Sequence, residues 1–230
     1  MKHIVSYSGG KDSTAMLLMM IEKNMPIDDI VFADTGLEFP EMYPYLEKVE
    51  KYIGREITRI KPLLTYEDYF YRRYKRGGKI GKTYGFPCMN GAWCNSHLKV
   101  YPLRKYEKTL GTHISYIGYA ADEPKRYKRL KEYQKALLYE WGITENQCLK
   151  YLEEKNLLNP LYKKFRRLGC WCCHNQSKSD LRILRKDYPD LWEKLLQYDK
   201  DSPVKFKINK TVHDFKEEFD MEDKQATIFD

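Results

Sequence analysis

The chain has 230 residues, 42% of them hydrophobic and 14% aromatic, with tyrosine alone occurring 20 times; this composition excludes a disordered chain and suits one sizeable α/β core, or a core with an appendage. Its longest apolar run, residues 15–21, is too short to cross a bilayer, and the amino terminus carries no signal-peptide core. A cytoplasmic protein with no membrane partner is therefore expected, whose six cysteines are metal ligands or redox groups rather than structural disulfides. Net charge is +8 but unevenly spread: residues 214–230 hold seven acids against Lys216 and Lys224, and that −5 leaves +13 for residues 1–213. So basic a body favours a polyanionic substrate or partner, with the acidic segment a solvated extension or a self-shielding strip.

In chain order, residues 4–7 are an apolar strand that breaks into Ser8-Gly9-Gly10-Lys11-Asp12-Ser13-Thr14 and leads into a helix over 13–23. A strand, a glycine turn and a helix N-terminus make a site for a phosphate. Glycine lets the backbone come close, the first-turn N–H groups have no intrahelical partner, and the helix dipole adds positive potential. Ser8, Ser13 and Thr14 add hydroxyls and Lys11 a cation, at a spacing that is neither the Walker nor the dinucleotide pattern. A second strand at 30–33 runs into Asp34-Thr35-Gly36. Asp34 there can reach a ribose, a base or a metal on the phosphates, or can simply cap the turn before the helix at 41–53. Strands at 56–60 and 114–119 and a helix over about 97–110 follow. Apolar strands alternating with helices predict an α/β fold with a doubly wound, mostly parallel sheet and ligands beyond its carboxyl ends.

From residue 130 the pattern becomes helical and cysteine-bearing. Thr144-Glu145-Asn146-Gln147 reads as a capping box for a helix to about Lys155, and Ser177 or Ser179 as the cap of one long amphipathic helix to Tyr198. The expected organisation is a nucleotide-binding domain with the cluster cysteines over 1–190 and a helix end with the acidic tail over 191–230. Cys88, Cys94, Cys170 and Cys173 stand as C-x5-C and, after 75 residues, C-x2-C. Two pairs of soft ligands suit a four-thiolate zinc site or an iron–sulfur cluster, and spacing alone does not choose. Cys172 is either a thiol behind the ligands or a reactive one, and Cys148 is a core residue. His97 and His174 are substitute ligands or plain neighbours. Arg72, Arg73, Lys75, Arg76, Lys79 and Lys82, interleaved with Tyr69, Tyr71 and Tyr74, and further basic runs at 125–135 and 163–167, suit RNA or DNA, against the plainer reading of a solvated face.

SGGKDST at 8–14 resembles the pyrophosphate-binding loop of the adenine nucleotide α-hydrolase superfamily. With FADTGLEFPE at 32–41, WCNSHLKVYPL at 93–103, GYAADEPKR at 118–126, EWGITENQCLKYLEEKNLLNPLY at 140–162 and GCWCCHNQ at 169–176, the chain resembles the phosphoadenosine phosphosulfate (PAPS) reductase family. The resemblance implies an adenine nucleotide, ATP or PAPS or adenosine phosphosulfate (APS), whose phosphates meet Ser8, Gly9, Gly10, Lys11, Asp12 and Ser13. Asp34 would lie near the adenosine, and Lys99, Asp122, Glu123 and Arg126 near the phosphate or sulfate end. Lys11, Asp12, Lys99 and Arg126 would be the reacting set, with Mg²⁺ held through Asp12 or Asp34. It also implies a [4Fe–4S] cluster on Cys88, Cys94, Cys170 and Cys173, although Cys88 stands six residues before Cys94 where the family has adjacent cysteines.

Three activities follow. A sulfonucleotide reductase would need the family's thiolate from a Glu-Cys-Gly-Leu-His tail, whereas the last cysteine here is Cys173. An ATP pyrophosphatase would adenylate an oxygen of tRNA or DNA, and sulfur from a donor protein would then displace AMP. A non-catalytic subunit would sense nucleotide and redox state. The second is the expectation, because it uses the loop, a divalent metal, a cluster and a basic surface and needs no tail thiol.

Overall fold

The computed structural model describes residues 1–89 and 92–226, so Asp230 of the acidic tail lies outside the described residues. The chain divides into two compact units, one of Met1–Asp34, Phe39–Pro62 and Lys99–Leu168, the other of the described residues within Thr35–Glu38, Leu63–Leu98 and Gly169–Asp230.

The first unit is an α/β sandwich. Its strands are β1 (Lys2–Tyr7), β2 (Asp29–Ala33), β3 (Thr58–Ile60), β4 (His113–Ile117) and β5 (Gln134–Lys135). They form one sheet in the order β3-β2-β1-β4-β5, and every pairing is parallel. Ile4, Val5, Tyr7, Ile30, Val31 and Phe32 are all buried, as expected of central strands covered on both faces. β5 carries no apolar pattern; Ser115 and Tyr116 of β4 simply pair with Gln134 and Lys135. The helices of the chain in order begin with α1 (Lys11–Glu22), α2 (Met42–Ile53), α3 (Tyr66–Phe70, in the second unit) and α4 (Tyr101–Thr109). They continue with α5 (Pro124–Tyr127), α6 (Leu137–Glu140) and α7 (Glu145–Glu154). α7 opens on the expected capping box, Thr144 Oγ1 accepting from Gln147 N and Gln147 Oε1 from Thr144 N. The helix expected over 97–110 instead begins as a π-helical stretch, Asn95–Val100, before α4. Pro102 has no N–H to give Leu98, so the ordinary ladder cannot run through this point.

Because β2 and β3 lie on one side of β1 and β4 and β5 on the other, the strand order reverses between β1 and β4. A doubly wound sheet binds ligands at such a reversal, beyond the carboxyl ends. The loop after β1 is Ser8-Gly9-Gly10, and the segment after β4 begins at Gly118. Both flank this point.

The second unit is built on aromatics. Tyr66 packs on Trp93 and Tyr198 with ring centroids 5.1 and 5.6 Å apart, Phe70 on Phe86 at 5.4 Å, and Phe86 on Phe206 at 5.1 Å. Its remaining helices are α8 (Lys178–Asp187), α9 (Pro189–Asp201) and α10 (Val212–Ala226). Ser177 caps α8 in a box with Asp180. The single long helix expected to Tyr198 is broken at Tyr188 (φ −136°, ψ 61°), because Pro189 excludes the helical conformation at the residue before it. α10 buries Val212, Phe215 and Phe219. Its acids meet cations of α8: Glu218 and Glu222 each lie 2.9 Å from Lys178, Asp220 and Asp223 lie 2.6 and 3.0 Å from Arg185, and Glu222 also pairs with Arg182. Residues 212–226 are thus the self-shielding strip and not a solvated extension. No described helix is long and apolar enough to cross a membrane.

Candidate functional site

The first unit places the glycine loop at the end of β1, directly before the N-terminus of α1. Gly10 is the N-cap of α1, its carbonyl accepting from Thr14 N at 3.0 Å, from Thr14 Oγ1 at 2.9 Å and from Ser13 Oγ at 3.1 Å. Ser8 Oγ and Ser13 Oγ are 2.9 Å apart, closing the loop across its mouth. Gly9 has φ +71°, and a Cβ there would stand 2.4 Å from Met42 Sδ, so the position needs glycine twice over. Lys11, Asp12 and Ser13 form the first turn of α1, whose amides have no carbonyl of their own helix to serve.

Two residues that sequence reading left without a role hold this loop. Asn159, fully buried, donates Nδ2 to Gly9 O at 3.0 Å and accepts Leu161 N on Oδ1 at 3.0 Å. Tyr162 Oη accepts the Lys11 amide at 3.0 Å. Burial, only partly offset by that bond and the Lys11 charge, pushes the Tyr162 hydroxyl up to about 12, so it stays neutral. Gly118 is a third. A Cβ on it would lie 2.7 and 2.8 Å from Ser13 N and Cα, so the end of β4 packs directly on the α1 backbone. The sequence signals were the Asn-Pro step at 159–160 and an isolated glycine after an apolar strand.

Charge gathers at the same place. Lys11 Nζ lies 2.5 Å from Glu145 Oε2 and 3.1 Å from Asp12 Oδ2. Burial works against the Lys11 ammonium, but the Glu145 bond and the Asp12 charge win and hold its pKa above the usual value. Burial raises the Asp12 carboxyl despite Lys11, with repulsion from Glu145 and Glu123 adding to it. Asp12 Oδ1 is buried and meets no nitrogen or oxygen donor among the described residues, with only the buried Cys148 thiol close enough to interact with the carboxylate. An acceptor so placed fits a divalent cation or a donor on a ligand. Asp122 Oδ1 accepts the Glu145 amide at 3.1 Å. Glu123 pairs with Arg126 at 2.8 Å, and the Arg126 guanidinium lies 5.0 Å from the Tyr119 ring centre. Ser8, Gly9, Gly10, Lys11, Asp12, Ser13, Asp122 and Glu123 therefore come together, with Arg126 on their border.

Asp34 and Lys99 lie on other segments, after β2 and before α4. Asp34 is buried after β2, accepts Tyr43 Oη at 3.0 Å and faces Lys61 Nζ at 3.9 Å. Thr35 makes the turn, its Oγ1 accepting from Leu37 N. Lys99 stands half-buried in the π-helical stretch. Cys148 is fully buried in α7, and burial pushes its thiol up to about 12, as a core position requires.

The second unit carries the other five cysteines as thiols. Cys170 O accepts from Cys173 N and from Gln176 Nε2, both at 3.1 Å, which winds the C-x-x-C into a tight turn. Lys207 Nζ clamps this turn from the far end of the unit, donating to His174 O at 2.8 Å and Gln176 O at 2.5 Å. Burial lowers the Lys207 pKa, while Cys173 and Cys88 pull the other way. Cys172 is buried between its neighbours, and burial and then Cys170, Cys173 and Cys94 push its thiol well above the ordinary range. Cys94, Cys170, Cys172 and Cys173 are thus within electrostatic reach of one another. Among the described residues no three Cys, His, Asp or Glu side chains converge as they stand on one metal ion. The donor type fits a thiophilic centre; a closed cage is not preformed. The His97 ring stacks on Tyr69 at 4.5 Å, and His174 Nδ1 is buried without a hydrogen-bond partner among the described residues.

Residues 2–176 match the family model of the phosphoadenosine phosphosulfate reductase domain. An uncharacterized protein of Methanocaldococcus jannaschii is 31% identical over 204 residues, covering 83% of this chain and 40% of the relative. A second from the same organism is 28% identical over 207 residues, 82% of this chain and 45% of the relative; the chain spans less than half the length of these relatives. Among solved structures, PAPS reductase from Candida auris in a phosphate complex is similar at TM-score 0.52 and 20% identity, covering 73% of this chain and 81% of that one. That likeness agrees with the parallel α/β sheet.

Proposed function

The chain belongs to the phosphoadenosine phosphosulfate reductase domain family, and from that premise we propose that it binds ATP at Ser8, Gly9, Gly10, Lys11, Asp12 and Ser13 and transfers the adenylate to a nucleic acid as the first step of sulfur insertion. The observation that carries the reading is the Lys11–Asp12–Glu145 arrangement at the strand-order reversal, with the buried Asp12 Oδ1 meeting no nitrogen or oxygen donor among the described residues. A polyphosphate at the glycine loop would take over the Lys11 ammonium from Glu145. Lys11 and the first-turn amides of α1 would balance the charge that develops on the leaving pyrophosphate, and Asp12 would hold Mg²⁺, which would supply further positive charge there. Arg126 and Lys99 would steady the acceptor's side of the phosphorus, and Asp34 the adenosine. An acceptor oxygen attacks the α-phosphorus, the α–β bond breaks, and a sulfur nucleophile from a donor protein later displaces AMP.

Cys88, Cys94, Cys170 and Cys173 would hold the [4Fe–4S] cluster, or zinc in its place, and the cluster when bound would supply an iron able to carry sulfur. Six thiols suit a reducing compartment such as the cytoplasm. Burial favours this reading over sulfonucleotide reduction by either thiol outside the quartet: Cys148 and Cys172 are 0% and 3% exposed.

Incubation with ATP, Mg²⁺ and tRNA or DNA tests it. Pyrophosphate and AMP are expected, and Asp12→Ala is expected to lose pyrophosphate release with its fold intact. Sulfite from PAPS with a thiol donor would mean a reductase, and no turnover of either nucleotide a sensor; full activity of the Asp12 variant would sink the loop assignment. Anaerobically purified chain should hold about four irons with a broad visible band, and zinc without iron would remove the cluster.

A further inference from the structure

Residues 71–85 form a hairpin unlike the rest of its unit. Arg73 and Thr83 bridge antiparallel, Tyr84 N donates to Arg72 O at 2.8 Å, and Tyr74 N donates to Lys82 O at 3.0 Å. Its base is rigid. Tyr71 Oη donates to Asp201 at 2.8 Å, Phe86 N donates to Ser202 Oγ at 3.1 Å, and a Cβ on Gly85 would stand 2.3 Å from Ser202 Oγ. The outer part is exposed and carries Arg72, Arg73, Lys75, Arg76, Lys79 and Lys82, with no acid between residues 69 and 86.

Elsewhere in this unit six cations are neutralised, while Lys186, Lys200, Lys205 and Lys207 stand singly along the chain without an ion pair among the described residues. Lys178, Arg182, Arg185, Lys194, Lys210 and Lys216 each meet a carboxylate. None of the six hairpin cations forms an ion pair among the described residues, although the same unit contains the acid-rich α10. Six like charges on one ribbon repel one another, a cost that an external polyanion would remove. Two of the hairpin's three tyrosines are occupied within it, while Tyr71 is 43% exposed at its base. Tyr74 and Tyr84 lie against each other with centroids 4.4 Å apart, and Lys79 and Arg72 sit over those rings at 5.6 and 5.9 Å. Their faces brace the ribbon, so recognition falls to the backbone charge of the partner and not to its bases.

We propose that the hairpin at residues 71–85 is a docking surface for the phosphodiester backbone of a nucleic acid, engaged without sequence selectivity. This deepens the acceptor part of the proposed function and rests on it only for the class of partner.

The test uses Lys75→Gln, Arg76→Gln and Lys82→Gln together, three cations that brace no ring. Binding of labelled tRNA, single-stranded DNA and duplex DNA is followed by anisotropy between about 50 and 200 mM salt. The wild type should lose affinity steeply with salt. The triple variant should show a log–log slope shallower by about 2 to 3 and bind roughly tenfold or more weakly. Arg76→Lys, which keeps the charge, should retain the wild-type slope, and ATP uptake by calorimetry should be the same in all three proteins, excluding misfolding. An unchanged slope in the triple variant overturns the proposal while leaving a nucleic-acid acceptor standing. A wild type that binds an acidic protein or heparin but none of the three nucleic acids overturns it as well. Pyrophosphate release is scored separately, so failure of adenylation and failure of the hairpin are read apart.

Discussion

Replacing Gly118 by alanine perturbs the start of α1 after the glycine loop without touching a functional group. The new Cβ would lie 2.7 Å from Ser13 N, 2.8 Å from Ser13 Cα and 3.0 Å from Asp12 C, where ordinary contact begins at 3.4 Å. All three atoms are backbone, so no side chain can swing aside; the end of β4 and the start of α1 must part by about 0.7 Å. Overpacking of this kind costs about 1–3 kcal/mol. In a chain of this length that is a fall of about 2–12 °C in Tm. The displaced residues are Asp12 and Ser13, and misplacement on the order of 1 Å can cost ~100-fold in a reaction. Pyrophosphate release should therefore fall further than the stability loss explains. Thermal unfolding by near-ultraviolet circular dichroism, ATP titration by calorimetry and the pyrophosphate assay measure the three effects. Gly78→Ala is the control, since nothing lies within 4 Å of its added Cβ and its φ is not left-handed. Gly118→Ala with wild-type Tm and ATP affinity would refute the close approach of the two segments.

Asn159→Ala should strip the Gly9 carbonyl and the Leu161 amide of their buried partner, costing about 1–3 kcal/mol in urea unfolding and weakening ATP uptake; an unchanged midpoint would show that water replaces the amide without loss. The carboxyls of Glu218, Asp220 and Glu222 are held below their usual pKa by Lys210 and Lys178, by Lys216, and by Arg182 respectively. Folded values below unfolded ones mean that the stability they lend is present above about pH 4.3 and is lost as pH falls through the folded values. Hydrogen exchange should show α10 losing protection between about pH 5 and pH 3, ahead of α1, and more so at low salt than at high; equal protection of α10 across that window would remove the strip's electrostatic role.

Local rules made much of this protein readable in advance. Apolar runs at 4–7 and 30–33 became the two central strands because a strand covered on both faces has no polar alternation to confuse the reading. The capping box at Thr144 is a four-residue device and formed as read; of the two candidate caps Ser177 and Ser179, it is Ser177 that caps α8, in a box with Asp180 that the sequence reading did not name. The glycine loop before α1 is equally local. Errors arose where a single residue overruled periodicity: Pro102 turned the entry to α4 into a π-helical stretch, and Pro189 divided α8 from α9. β5 was invisible because Gln134 and Lys135 are strand residues only through hydrogen bonds to β4.

What the sequence determined alone is the local chemistry available: the glycine loop before α1, the four paired thiols, the cation-rich run of 72–82 and the parallel α/β class. Tertiary structure alone decided which groups act together. Glu145, Asn159 and Tyr162 lie 134 to 151 residues from the loop groups that they hold, and Gly118 meets Ser13 only because β4 lies beside β1. A motif is written in neighbouring residues and can be read from them, whereas a clamp between distant segments exists only after the sheet has set their register.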